Sequence, residues 1–559
     1  MPQLDCRLGI DVGGTNTDAV ILDADDRVLA KAKVACTPDI TGGITEAIDA
    51  VLRAPGVDSG RITHVMLGTT HATNAVLERR KLRRVAVIRI GSPSGHAIRP
   101  MYGWPRDLAE AVAVDATIVG GGIEFDGRDL APLDSGAIAR FLGEVADRSG
   151  DAVSGGAVSG GTGGGLEGVA ITSVFAPVSP RHELLAAEIV KRELGEEMHV
   201  SLSHEIGSVG LLERENATIL NAALVGVARD VATAMESALA AHGLRPVTFF
   251  AQNDGTLMAL GHALRYPVLT IGSGPANSIR GAAFLTGTTD SLVADVGGTS
   301  TDVGVLVNGF PRESSQGVEI GGIHTNFRMP DLVTIALGGG TVVTGEPGAP
   351  GIGPRSVGFL LTSQALVFGG PTPTLTDSAV ASGRAALGDP GLIGRNRRLL
   401  ESAARRADEM LAEAIDRVKT AKGDRALIAV GGGSILVPDD LPGISEVIRP
   451  DHFDAANAVG AAIASVSGQV DRIFHMGAGG RKAALDEACG EATQNAVAAG
   501  ADPGTVEIVE LEEIPLAYLT SPAVRIRAKA AGALGGLRGA PEAPQQQQFQ
   551  PAQPLQAGL

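Results

Sequence analysis

Residues 8–22 read LGIDVGGTNTDAVIL, and residues 292–306 read LVADVGGTSTDVGVL. Set side by side, the two stretches agree at nine of fifteen positions across a separation of 284 residues. Chance does not produce that agreement, and the spacing is far too long for a solenoid repeat. Two related domains are therefore expected, each opening with the same device. In each copy an apolar run ends in Gly-Gly and a second apolar run follows, which predicts strand, tight turn and strand.

The chemistry of the device follows from its residue types. Glycines permit positive φ and let a ligand approach the backbone. Successive turn N–H groups then form a concave nest suited to phosphate. Gly13, Gly14, Thr15 and Thr17 in the first copy, and Gly297, Gly298, Thr299 and Thr301 in the second, are the candidate phosphate-binding residues. Asp11 and Asp295 close the strands ahead of the glycines. A carboxylate beside phosphate is repelled unless a hard cation intervenes, and Asp plus phosphate oxygens plus water is the usual way Mg²⁺ is held. Asp11 and Asp295 are thus the candidate catalytic and metal-ligating carboxylates. A third Gly-rich turn, Gly431-Gly432-Gly433, follows the apolar run Leu427–Val430 and is a candidate for the adenosine side of a nucleotide. No P-loop motif and no dinucleotide-binding fingerprint is present in the sequence.

Composition sets the outer bounds. A chain of 559 residues can bury more than one core. Apolar residues make up 44%, aromatics only 3%, and there are 76 glycines, so the cores must be built from Val, Ile, Leu and Ala. A formal charge of −17 argues against nucleic-acid or anionic-membrane partners, which need basic patches. The one basic run, Arg79 to Arg84, reads as a solvated helix end. Cys6, Cys36 and Cys489 show no paired spacing, which predicts neither a zinc site nor a disulfide framework. The N-terminus lacks the pattern of a signal peptide, and no apolar stretch reaches the length of a membrane span, so a cytoplasmic protein is expected.

Along the chain, residues 182–195 and 395–420 carry helical apolar spacing. Residues 149–168 are a Gly/Ser-rich stretch expected to be flexible. The Pro/Gln-rich tail, residues 539–559, is too polar to fold and is expected to be disordered.

Two phosphate hairpins with an adenosine turn and the late small-residue helix Ala455–Ala462 resemble the actin/sugar-kinase/Hsp70 superfamily. Further stretches are similar to the A subunit of the hydantoinase/oxoprolinase family: Gly68-Thr69-Thr70-His71-Ala72-Thr73-Asn74, Ser201–Glu205, Glu213–Asn221, Ala251–Gly255 with Ser273-Gly274-Pro275-Ala276, and Pro330–Ile335 with Gly338–Thr341. The likeness runs over residues 5–480. It implies an α/β fold of two duplicated, ribonuclease H-like domains around a nucleotide cleft. The expected layout is an N-terminal domain at 1–175, an ATPase domain at 176–480, a small C-terminal α/β segment at 481–538, and the tail.

The resemblance also implies ATP and Mg²⁺ as cofactors and a small cyclic amide as substrate. The carbonyl of a hydantoin, 5-oxoproline or lactam would be phosphorylated before ring opening, with a B-type subunit or a homo-oligomer as partner. Ketone carboxylation is a further activity within the family. Thr70, His71 and Asn74 are the candidate substrate contacts, and His204 is a weaker one; Asn74 could instead cap a helix, and Trp104 reads as loop packing. Two alternatives on the same fold stay open at this point: a small-molecule kinase, and an ATP-driven switch or reactivating factor. The sequence departs from the family pattern at Gly353-Pro354-Arg355-Ser356 and is shorter than typical A subunits.

Overall fold

The computed structural model describes residues 5–35, 40–153, 165–207, 209–314, 317–326, 329–420, 422–476, 480–516 and 523–535. Most of the Gly/Ser stretch, Cys36 and the whole Pro/Gln tail lie outside the described residues.

Each copy of the repeat forms the expected hairpin. Strands Cys6–Val12 and Asn16–Leu22 pair antiparallel with Asp11 opposite Asp18 and Val12 opposite Thr17. Strands Ser291–Val296 and Thr301–Val307 pair in the same register, with Asp295 opposite Asp302 and Val296 opposite Thr301. Both turns close with one backbone bond of the same kind, Gly13 N–H to Asn16 O at 3.0 Å and Gly297 N–H to Ser300 O at 2.9 Å.

Each hairpin heads its own sheet. The first belongs to a nine-stranded sheet that also takes Val28–Ala35, Ile62–Thr69, Val247–Ala251, Leu257–Ala259, Val466–His475, Ala523–Gly532 and Glu507–Pro515. The strands and helix of residues 481–538 are thus an extension of this sheet, added at its far edge. The second hairpin belongs to a six-stranded sheet with Phe310–Pro311, Leu332–Ile335, Arg425–Val430 and Ile444–Ile448. A separate four-stranded sheet, all parallel, lies between residues 85 and 202. Its strand Val85–Ser92 is buried on both faces, as parallel strands covered on both sides are, with Arg89 as its one charged side chain.

Helices cover these sheets where the apolar periodicity directs them. Arg397–Val418 buries Leu400, Ala403, Ala404, Ala407, Leu411, Ala414, Ile415 and Val418, a stripe that turns toward the six-stranded sheet. Arg181–Leu194 does the same on the four-stranded sheet. The 31-residue helix Leu211–Ala241 is long and apolar enough to cross a membrane by composition, but most of its length is buried against the nine- and four-stranded sheets.

Two further helices lie between the hairpin-bearing sheets. Ser273–Thr286 packs Ile279 and Ala282 against Val293, Leu306, Ile428 and Val430 of the six-stranded sheet. Ala456–Ile463 packs Ala458, Val459 and Ala462 against Val20 and Leu22 of the nine-stranded sheet. The two helices also cross each other, with Gly460 seated against the backbone of Asn277. Between them they bring polar side chains to the ends of both hairpins.

Candidate functional site

The two turns meet. A methyl group placed on Gly298 would sit 3.8 Å from Thr15 Oγ1, and one on Gly358 would sit 3.9 Å from Thr15 Cγ2. Behind the turns four carboxylates gather: Asp11 and Asp18 are buried, and Asp295 and Asp302 are partly buried. Burial pushes the Asp11 carboxyl up to about 7, helped by the neighbouring charges of Asp18 and Asp295 and opposed by the Asn457 hydrogen bond and Lys33. Burial also raises Asp295, against a hydrogen bond from Ser278. Asp302 is raised to about 6 by burial, despite a 2.6 Å hydrogen bond from Thr334 Oγ1. Asp18 is raised by burial and is countered first by Lys33, whose Nζ lies 2.6 Å from its Oδ2.

A hydrogen-bonded chain joins the two hairpins. Asn457 Nδ2 donates to Asp11 Oδ2 at 3.4 Å, and Ser278 Oγ lies within bonding reach of both Asn457 Oδ1 and Asp295 Oδ2, the latter at 2.5 Å. Ser278 has one hydroxyl proton, so it donates to one of these oxygens at a time. Asp11 Oδ1 is buried and has no hydrogen-bond partner among the described residues. An orphaned carboxylate oxygen beside three other acids is a poor resting arrangement for protein alone and a fitting one for a hard cation. Among the described residues no three His, Cys, Asp or Glu side chains form a closed metal cluster. Mg²⁺ fits this donor set because it is commonly held by one or two carboxylates, water and the phosphates of a nucleotide.

The turns differ in their supports. Gly339 N–H donates to Gly297 O at 3.0 Å and Gly340 N–H to Gly298 O at 2.7 Å, while Thr301 Oγ1 donates to Leu337 O. Gly338 is where only a glycine fits, since an added methyl would lie 2.5 Å from Thr299 N. Ser356 Oγ reaches Gly298 O at 3.3 Å and accepts from Gly358 N–H at 3.0 Å. On the other side, Gly433 N–H donates to Val296 O at 2.7 Å. Gly431 has φ +83, and a methyl there would strike Asp295 Oδ1 at 2.4 Å. The Gly431–Gly433 turn therefore abuts the second hairpin, with open space over Gly432.

The Gly68–Asn74 segment flanks the first turn. Thr70 N–H donates to Val12 O at 3.1 Å, and a methyl on Gly14 would have Asn74 Nδ2 as its nearest neighbour at 3.9 Å. Asn74 is not the helix cap: the helix runs His71–Glu78 with Thr70 at the cap position, and Asn74 Nδ2 donates back to Thr70 Oγ1 at 3.3 Å. His71 turns elsewhere. Its Nδ1 lies 2.8 Å from Thr69 Oγ1, and its ring lines a small cavity with Val227, Val231, Phe250, Ala263 and Pro267. Burial lowers its pKa, which keeps it neutral. His204 is likewise engaged away from the turns, with Nδ1 2.6 Å from the buried Glu183 Oε2. Trp104 packs in its loop and donates to Asn216 Oδ1 at 2.7 Å.

The structure thus gathers Asp11, Gly13, Gly14, Thr15, Asp295, Gly297, Gly298, Thr299 and Gly431–Gly433 around one locus, with Asn74 at its rim and His71 behind it. Thr17 and Thr301 are fully buried in the strands below the turns. Asp18, Asp302, Asn277, Ser278 and Asn457 complete the polar layer and were not singled out from the sequence. The repeat itself carried a signal for two of them, since both copies have Thr-Asp just after the turn.

Two family models match consecutive parts of the chain: the hydantoinase/oxoprolinase N-terminal region over residues 7–194 and hydantoinase/oxoprolinase over residues 214–417. The chain belongs to the hydantoinase/oxoprolinase family. It is 27% identical over 431 residues to caprolactamase subunit alpha of Pseudomonas jessenii, covering 72% of this chain and 58% of that one. It is 28% identical over 378 residues to 5-oxoprolinase 1 of Arabidopsis thaliana, covering 63% of this chain and 29% of that protein. The chain therefore spans well under two thirds of either relative. The crystal structure of ATP-dependent caprolactamase from Pseudomonas jessenii shares its fold, with a TM-score of 0.71, 20% identity and coverage of 95% of this chain and 88% of that one.

Proposed function

We propose that this chain binds Mg-ATP between its two hairpin turns and phosphorylates the carbonyl oxygen of a cyclic amide on the way to ring-opening hydrolysis. The observation that carries the reading is the meeting of the turns at Thr15 and Gly298, over the linked carboxylates Asp11 and Asp295. Backbone N–H groups of Gly13–Thr15 and Gly297–Thr299 would receive phosphate oxygens, and Gly431–Gly433 would border the adenosine. Asp11 and Asp295 would hold the cation, which neutralises charge on the phosphates when bound.

The step balances simply. A lone pair on the amide oxygen attacks the γ-phosphorus, the bond to the β-phosphate oxygen breaks, and ADP leaves. Water then adds to the activated carbon, the ring C–N bond breaks with the nitrogen taking a proton, and a second water hydrolyses the acyl phosphate left behind to carboxylate and phosphate. Protein groups contribute positioning and charge stabilisation to the transfer. Asn74, at the rim of the first turn, would orient the carbonyl. His71 would act through Thr69, fixing the segment that carries Asn74. Caprolactamase and 5-oxoprolinase are both enzymes of lactam rings by name, which supports a lactam or related cyclic amide as substrate class. A relative named as a subunit supports a partner, either a B-type chain or a further copy.

The test is substrate-dependent phosphate release. The chain is purified alone and co-expressed with the product of the neighbouring gene, then given ATP with hydantoin, 5-oxoproline or caprolactam. Phosphate and ring-opened product in equal amounts are expected with one of them. A stable phosphoester formed on an alcohol or sugar would instead make the protein a kinase.

A further inference from the structure

We infer that Asn277 is a positioning residue for the divalent cation at Asp11, its carboxamide and Asp11 Oδ1 together holding one water of the ion's hydration shell. The inference rests on the Mg-ATP reading and names a residue that reading does not use.

Asn277 lies on the helix Ser273–Thr286 and is fully buried, 0% exposed. Among the described residues neither its Oδ1 nor its Nδ2 has a hydrogen-bond partner, and the same is true of Asp11 Oδ1. The three atoms are not scattered. A methyl placed on Gly68 would lie 2.4 Å from Asp11 Oδ1 and 2.5 Å from Asn277 Nδ2, so the two groups face one small space within about 5 Å of each other. Gly68 keeps that space open by having no side chain.

Leaving a buried polar atom unpaired costs the full desolvation of that group. Two side chains doing so at the same spot point to a shared polar guest rather than to two separate defects. Buried polar sites of two to four partners hold single waters. Mg²⁺ gives up its hydration shell reluctantly and keeps several waters when bound through carboxylates. With the Asn277 amide turned by half a rotation, so that Oδ1 stands where Nδ2 now faces Asp11, a water on the ion can donate one proton to Asp11 Oδ1 and the other to Asn277 Oδ1. The adjacent residue, Ser278, reaches Asp295, so one turn of this helix addresses both candidate ligands.

The experiment uses Mn²⁺ as the probe, with ADP present, on the full chain carrying Asn277→Ala or Asn277→Ser. Mn²⁺ affinity is read by electron paramagnetic resonance, metal-free ADP affinity by calorimetry, and folding by circular dichroism. Outer-shell partners of this kind typically change metal affinity by about 10–100-fold. A loss of that size is expected for Asn277→Ala, with a smaller loss for Asn277→Ser, unchanged metal-free ADP binding and no fall in Tm. Unchanged Mn²⁺ affinity in a folded variant overturns the inference while leaving the Mg-ATP reading intact. If the parent chain takes up no Mn²⁺ with ADP, the Mg-ATP reading itself falls. Should Asn277→Ala fail to fold, a purely structural role for the amide is indicated, and Asn277→Ser decides between the two by its Mn²⁺ affinity.

Discussion

The turn at Gly297–Ser300 takes backbone bonds from Gly339 and Gly340 on one flank and has Gly433 bonded to Val296 on the other, whereas the turn at Gly13–Asn16 has Thr70 bonded to Val12 on one flank and borders the side chains of Thr70 and Asn74. The strands beneath them pair in the same register and share Asp-Val before the turn and Thr-Asp after it. What separates the two is therefore their surroundings, not the repeat. A turn whose carbonyls are already engaged has its N–H groups aimed before any ligand arrives, which is what electrostatic preorganisation requires. A turn bordered by polar side chains on a helix can serve a second reactant. The second half fits the anchoring of nucleotide, and the first half fits the meeting of nucleotide and acceptor.

The largest expected effect breaks the brace. Gly338→Ala drives a methyl into the backbone at Thr299 N, 2.5 Å away. Overpacking against rigid backbone costs about 3 kcal/mol or more, so a clear fall in Tm and loss of ATP turnover are expected. Gly14→Ala meets nothing closer than 3.9 Å and should leave Tm nearly unchanged. Equal falls in Tm by differential scanning fluorimetry would mean that the two turns are equally confined, and the contrast would be lost.

Next come the carboxylates. Asp11→Asn and Asp295→Asn should each lower ATP turnover on the order of 100-fold, the scale on which a single preorganised electrostatic partner acts. Here the two halves are expected to behave alike, because Ser278 and Asn457 bind Asp11 and Asp295 into one chain. A variant with full turnover removes that aspartate from the site.

The hairpins, the adenosine turn and the helices at 181–194 and 397–418 were legible because they are local: an apolar run, a glycine pair or a 3.6-residue stripe carries them. The brace was partly legible as Gly338–Thr341, though nothing local says which turn it supports. Asn277, Ser278 and Asn457 were not legible as a set. They come from helices 170 or more residues apart, and only the crossing at Gly460 brings them to Asp11 and Asp295. The return of residues 507–532 to the first sheet is a pairing of high sequence separation, which strand pattern alone does not specify. Asn74 and His71 were read together because a helix sets positions three apart on one face, and nothing local says that the His71 ring turns back to Thr69 while the Asn74 amide reaches Thr70 and Gly14.

A smaller effect comes from pH. Asp11, at about 7, and Asp302, at about 6, bind a proton more tightly in the folded protein than in the unfolded chain, where Asp titrates near 3.9. Between about pH 4 and 7 the folded state therefore holds protons that the unfolded state has released, and stability falls as pH rises. Nucleotide-free protein should lose a few degrees of Tm from pH 5 to pH 8. Asp302→Asn should flatten the lower part of that decline and Asp11→Asn the upper part. A Tm that rises across this range would contradict the burial of these acids in charged form.

The smallest effect separates two neighbours on the first turn's flank. His71 is held by Thr69 Oγ1 and sits in apolar packing against Val227, Val231 and Phe250, with burial keeping it neutral. Asn74 is the residue whose amide approaches Gly14. Orientation of a reacting group is costly to lose, so Asn74→Ala should abolish stimulation of ATPase by the cyclic amide while leaving ADP affinity unchanged. His71→Leu fills the same packing without the ring nitrogen, and its substrate-stimulated rate should change by less than about threefold, appearing in KM and kcat alike through a slight shift of the Thr69–Asn74 segment. Steady-state kinetics with whichever cyclic amide drives phosphate release make the comparison. If His71→Leu loses stimulation as completely as Asn74→Ala, the imidazole takes part at the acceptor, and the first half of the molecule is then a two-residue acceptor site rather than a single amide on a helix.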